Sequence, residues 1–143
     1  MSVAVITDQC LPQVLELVRV DWAPDPRPTL RLFRNDFEPA PASEDVDFVE
    51  ADWPGYTTFF LGGDLAAPLK AADGHWSCQS SQYEYLPPAS GLGNTVYGWY
   101  VTRTGLVLAA QRFEVPLIMA PGSPPFRLQL LLSAKSESLF PPS

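Results

Sequence analysis

The stretch that most limits what this chain can become is "TVYGWYVTRTGLVLAAQRF", from Thr95 to Phe113. It reads as a strand at Thr95 to Thr102, a reversal through Arg103-Thr104-Gly105, and a return strand at Leu106 to Phe113. In an extended chain alternate side chains face opposite ways. Val96, Gly98 and Tyr100 should therefore share one face, and Tyr97, Trp99 and Val101 the other. Both sets are apolar. A strand that is apolar on both sides has to lie between two covers, so this one is expected at the centre of a sheet.

The same period of two recurs elsewhere. "TLRLFRND" places Leu30 and Leu32 on one face, and "FRLQLLLSA" places Phe126, Leu128, Leu130 and Leu132 on one face of a last strand. "DFVEADWP" gives a strand end and "YTTFFLGG" a β-branched, aromatic run. A weak strand near Leu65 to Ala71, an Asp73-Gly74 turn and a strand at His75 to Tyr85 read as a hairpin. "PLIMAPGSPP" reads as a loop. Only "DQCLPQVLELVRVDW" carries helical spacing, with Asp8 as N-cap and Pro12 in the first turn. Sixteen prolines suit chain ends and stiff loops between short strands. The expected fold is all-β: an antiparallel β-sandwich, jelly-roll or Greek-key like, with one short N-terminal helix. It forms a single domain over 1–143, with helix and Pro-rich linker in 1–28 and a polar tail at 135–143.

Charge narrows the function classes. The net charge of −7 with nine scattered Lys and Arg gives no gain from displacing phosphate counterions, so nucleic acid is not an expected partner. The charged fraction is only 17% against 46% hydrophobic, which points to surface covered by a partner. No run of 18 apolar residues exists, so no membrane contact is expected. "MSVAVITDQC" lacks the pattern of a secretory signal, and the chain is expected to stay in the cell that makes it or to be packaged into something there.

Catalytic chemistry is not expected. The lone histidine, His75, has no second histidine or fixed carboxylate beside it. Cys10 and Cys78 have no CxxC spacing; free buried thiols are the simpler reading, with a disulfide left open. "ASGLGNT" is not a nucleophile elbow, and "GLGN" and "LGGD" lack the strand–loop–helix setting and the lysine of a phosphate cradle. Glu44, Asp45, Asp47, Glu50 and Asp52 cluster in one loop without the glycine and ligand alternation of a calcium site. No catalytic, cofactor-binding or metal-ligating residues are assigned. The aromatic stretch "WPGYTTFFLGG" is read as core, with Pro54-Gly55 making the bend into a central strand and Phe59 packing inward together with Tyr56 or Phe60. Trp99 belongs to the same structural set. Glu50 and Arg112 are expected to form a bidentate pair.

Three stretches, "LRLFRNDFEPAP", "FVEADWPGYTTFFL" and "VYGWYVTRTGLVLAAQRFEVPLIMAPGSPPFRLQLLLS", together resemble a family of small tailed-bacteriophage virion structural proteins. The resemblance implies a virion location, no catalytic residues, and a role in assembly. The first expectation is a capsid decoration, or cement, protein that binds the outer shell and stabilises contacts between major capsid subunits, as a homo-dimer or homo-trimer. The alternative is a tail- or fibre-associated module that recognises host glycan. Trp22, Trp76, Tyr83, Tyr85, Leu139 and Phe140 are the expected contact residues.

Overall fold

The structure, a computed structural model, describes residues 5–6, 28–61, 69–70 and 75–135, and side chains within 28–61 and 80–130. The described chain is mostly strand. In chain order the strands are β1 (Val5–Ile6), β2 (Thr29–Phe33), β3 (Phe59–Phe60), β4 (Leu69–Lys70), β5 (His75–Tyr85), β6 (Asn94–Arg103), β7 (Leu106–Met119) and β8 (Phe126–Lys135). They form two antiparallel sheets, one ordered β1-β7-β6-β2-β3 and the other β4-β5-β8. The expected helix, the Pro-rich linker, the Asp73-Gly74 turn and the C-terminal tail lie outside the described residues.

The β6–β7 hairpin forms where the sequence puts it. Thr104 has φ 51° and Gly105 φ 79°, the pair of positive values that a two-residue hairpin turn needs to match strand twist. β6 lies between β7 and β2, so it is central as expected. The alternation is broken, however. Val96 pairs with Leu117 but Gly98 pairs with Arg112, so residues 113–116 of β7 swell out opposite Tyr97. Because of this slip Val96 joins Trp99 and Val101 in one cluster, while Tyr97 joins Tyr100 in the other. The expected loop from Pro116 is also corrected: β7 runs on to Met119. Pro116 is accommodated inside the bulge, where ladder pairing is already interrupted and its missing N–H is no loss.

Two apolar clusters hold the fold together. The first lies between the sheets. Leu30, Leu32, Trp99, Val101 and Leu108 come from the five-stranded sheet, and Tyr83, Tyr85 and Leu130 from the three-stranded one. Each large side chain fully buried there contributes about 1.5–3 kcal/mol. The second lies on the other face of the large sheet, where Phe33, Tyr100, Val107 and Ala110 are roofed by Phe37 and Phe48 from the loop 34–49 that follows β2. Phe48 stacks on Tyr100 with ring centroids 4.3 Å apart, and meets Phe33 and Phe37 edge-on. The two covers that the apolar faces of β6 demand are thus a second sheet and a folded-back loop.

That loop is tied to β2. Arg34 N–H donates to the Val49 carbonyl and Ala51 N–H to that of Leu32, and Phe33 bridges to Glu50. Pro54-Gly55 then reverses the chain. Tyr56 N–H donates to the Trp53 carbonyl at 2.9 Å, and Gly55 has φ 95°, as a type II turn requires of its third residue. The strand that follows is not central, as expected, but the edge: β3 pairs over two residues with β2 alone. Trp53 and Leu61 are buried, Tyr56 and Phe59 pack on the inter-sheet cluster, and Phe60 points out, 63% exposed.

Candidate functional site

The most developed polar arrangement among the described residues sits on the free side of β2. β3 occupies that side at residues 29–30 and Glu50 at residue 33, leaving Leu32 N–H between them with no strand partner. The Tyr56 hydroxyl accepts from it at 3.1 Å. That hydroxyl donates to Glu50 Oε2 at 2.8 Å. Glu50 Oε1 accepts from Arg31 Nη1 at 2.7 Å, and Arg31 Nε donates to Thr102 Oγ1 at 3.1 Å. Burial pushes the Tyr56 pKa well up, against the lowering effect of the Leu32 N–H; the Glu50 carboxylate adds to the rise. A side chain thereby substitutes for a missing strand, and one carboxylate joins β2, the 49–56 loop and β6. The role of these groups is to fix this edge of the sheet, since each is committed to a partner within the fold.

Arg112 belongs to a separate network, and the expected Glu50–Arg112 pair is not formed. Arg112 stands opposite Gly98 on β7. Glu50 lies beyond β6 and β2, three strand spacings from Arg112 across the sheet, or about 14 Å. Arg112 instead pairs with Asp36, donates to the Phe37 carbonyl at 2.8 Å, and lies 5.3 Å over the Tyr97 ring. It pins the 34–49 loop onto the large sheet, a role that its position in "QRFE" alone does not show.

The acidic cluster is dispersed into structural roles. Asp47 accepts from Glu44 N–H at 2.8 Å and closes a 3-10 turn at Asp45–Asp47. Asp52 exchanges hydrogen bonds with Asn94 at the start of β6. Among the described residues no group of three or more His, Cys, Asp or Glu is placed to hold a metal ion.

Of the expected contact residues, Tyr83 and Tyr85 are 7% and 1% exposed. They belong to the inter-sheet core, not to a contact surface, because β5 presents them toward Phe59, Trp53 and Phe126. Trp76 falls on β5, but its side chain is outside the described set; Trp22, Leu139 and Phe140 are outside it entirely. The backbones of His75 and Cys78 lie on β5, their side chains likewise outside it. Trp99 is buried and donates to Gln111 Oε1 at 3.2 Å.

The exposed apolar residues are others. Among them Leu92 is 89% exposed, Val46 84%, Val115 77%, Ile118 65% and Leu86 58%. Ile118 pairs with Thr95 and Met119 with Asn94, so Leu92, just before β6, and Ile118 share one end of the β6–β7 ladder. Val115 projects from the bulge. Beside it a groove of about 570 Å³ runs between β7 and β8, lined by Phe113, Val115, Phe126 and Leu128 among others. Val115 and Ile118 were hidden in the sequence because the Pro116 segment read as a loop; a proline inside an apolar run (Val115, Leu117, Ile118) is also compatible with an edge strand or a bulge. In comparison with known proteins, no family model, no curated protein and no solved structure matches this chain.

Proposed function

We propose that this chain is a tailed-bacteriophage virion component: a capsid decoration, or cement, protein that binds the outer shell and holds neighbouring major capsid subunits together, without catalysis. In this reading the two sheets form a β-sandwich of jelly-roll or Greek-key type with a short N-terminal helix, assembled as a homo-dimer or homo-trimer made in the host cytoplasm. The observation that carries the reading is the exposure of the apolar side chains Leu92, Val115 and Ile118 on and beside the β6–β7 hairpin. Such side chains gain about 25 cal/mol for each Å² that a partner removes from water. The bulge at 113–116 and Pro116 obstruct pairing by strand addition, so these residues favour side-chain contact with a preformed surface. Glycan recognition by a tail or fibre module finds less support, because the described tryptophans Trp53 and Trp99 are buried.

The test uses phage shells assembled without this protein. Added purified protein should bind saturably and raise the temperature at which the shells disrupt. The triple variant Leu92→Ser, Val115→Ser, Ile118→Ser should stay folded and lose binding. Failure of the folded wild-type protein to bind, or undiminished binding by the variant, would contradict the proposal.

A further inference from the structure

We infer that residues 35–48 form a hinged cover on the outer face of the large sheet, clasped shut by Arg112 and able to open while both sheets stay folded. The chain leaves β2 and returns to it at one point. Arg34 N–H donates to the Val49 carbonyl at 2.8 Å. The Asn35 side chain closes the same base: Nδ2 donates to the Asp47 carbonyl at 2.9 Å, and Oδ1 accepts from Val49 N–H at 2.9 Å. Beyond that base the loop bonds mainly to itself. Ser43 N–H donates to the Ala40 carbonyl at 2.9 Å, and Asp47 N–H to that of Glu44 at 3.0 Å. Touching ends and internal bonds of this kind mark an Ω-loop. Such units can open locally without the rest of a domain.

What holds the cover down is narrow. Phe37 packs against Phe33, and Phe48 stacks on Tyr100. Among the described residues, the hydrogen bonds from the rest of the fold to the span 36–46 come from Arg112 alone. It donates to the Phe37 carbonyl and to Asp36, with Glu38 3.8 Å away. The loop carries Asp36, Glu38, Glu44, Asp45 and Asp47 and no Lys or Arg. Its own charges therefore repel one another, and the single guanidinium reaching across from β7 offsets them. A lone 3-10 turn does not persist without support. Lifting the loop therefore melts the turn at Asp45–Asp47 and frees its amides together, while the ladders between strands remain.

Native-state hydrogen exchange on the whole chain, followed residue by residue by NMR, tests this. In the wild-type protein the Ser43, Asp47 and Phe48 amides should exchange through one shared opening. That opening should be about tenfold or more as frequent as the one that frees the Trp99 and Tyr100 amides of β6. Low urea should speed it far less, since it exposes little surface. Arg112→Ala should speed exchange of the loop amides about tenfold, the effect of losing one charge-assisted hydrogen bond. Asp36→Asn, an exposed change, should speed it about two- to fivefold. Loop amides that share the rate and the urea slope of β6 overturn the inference, because the loop then opens only with the whole fold. So do loop amides unchanged in both variants; should Arg112→Ala not fold, an unchanged Asp36→Asn alone overturns it.

Discussion

Tyr56→Phe removes one oxygen and leaves the ring in place. In the structure that oxygen does two things: it accepts from Leu32 N–H and donates to Glu50. Leu32 is fully buried, so water cannot easily replace the acceptor, and an unsatisfied buried N–H costs about 1–3 kcal/mol. The hydrogen bond to a carboxylate is worth about 1.5–3 kcal/mol. These overlap in one network, and the expected loss is about 2–4 kcal/mol. Glu50→Ala should lose about 2–3 kcal/mol, most of it from Tyr56. The Arg31–Glu50 pair, about a third exposed on each side, adds about 0–1 kcal/mol. The double variant should show a Glu50–Tyr56 coupling of about 1–2 kcal/mol, whereas Glu50 and Arg112, in separate networks, should be additive to within about 0.5 kcal/mol. Urea unfolding with unchanged m-values measures all of these. A Tyr56→Phe loss below about 0.5 kcal/mol, or a Glu50–Arg112 coupling larger than that of Glu50–Tyr56, would refute the assignment of this edge.

Gly98→Ala should cost about 3 kcal/mol or more by denaturant unfolding, because an added Cβ would sit 2.6 Å from the Phe33 ring and closer still to the Gln111 carbonyl; a loss under about 1 kcal/mol would count against this packing. Thr104→Asn should raise stability by about 0.5–1 kcal/mol, since Thr104 occupies the left-handed region that asparagine tolerates better; a lower midpoint would speak against the turn as described. The pKa values of Tyr56, Tyr85 and Tyr100 are all raised above the ordinary 10.0, first of all by burial. The unfolded chain therefore releases protons that the folded one keeps, and stability should be present below pH 10 and fall as pH rises beyond it. Circular dichroism and tyrosinate absorbance should change together; ionisation of these tyrosines with the fold intact would contradict their burial.

The strands were legible wherever one rule sufficed. β5 runs His75–Tyr85 as the sequence suggests, and β6, β8 and the Thr104-Gly105 turn fall where alternation and turn chemistry put them. Alternation failed at Val96 and Tyr97 because a register slip depends on β7, which is remote from them in sequence and has Pro116 within it. "WPGYTTFFLGG" was rightly read as inward-facing at Phe59, and of the two alternatives Tyr56 packs inward while Phe60 does not. Its edge position was not readable, since periodicity gives a strand's faces but not its neighbours. Glu50 and Arg112 carry opposite charge, and composition alone cannot say that β6 and β2 separate them. Tyr83 and Tyr85 alternate with polar residues, a pattern that fixes a buried face without naming what buries it. The exposed apolar residues Leu92 and Val115 escaped notice because one lies in a Gly-rich loop and the other in a bulge, neither of which has a period.

The central claim concerns where this protein works, and its copy number in purified phage particles tests it most directly. Quantitative mass spectrometry would give that number relative to the major shell protein. The account predicts a ratio comparable to that of the shell subunits, as decoration of the whole capsid requires. Complete absence from the particle, or a few copies confined to the tail, would contradict it.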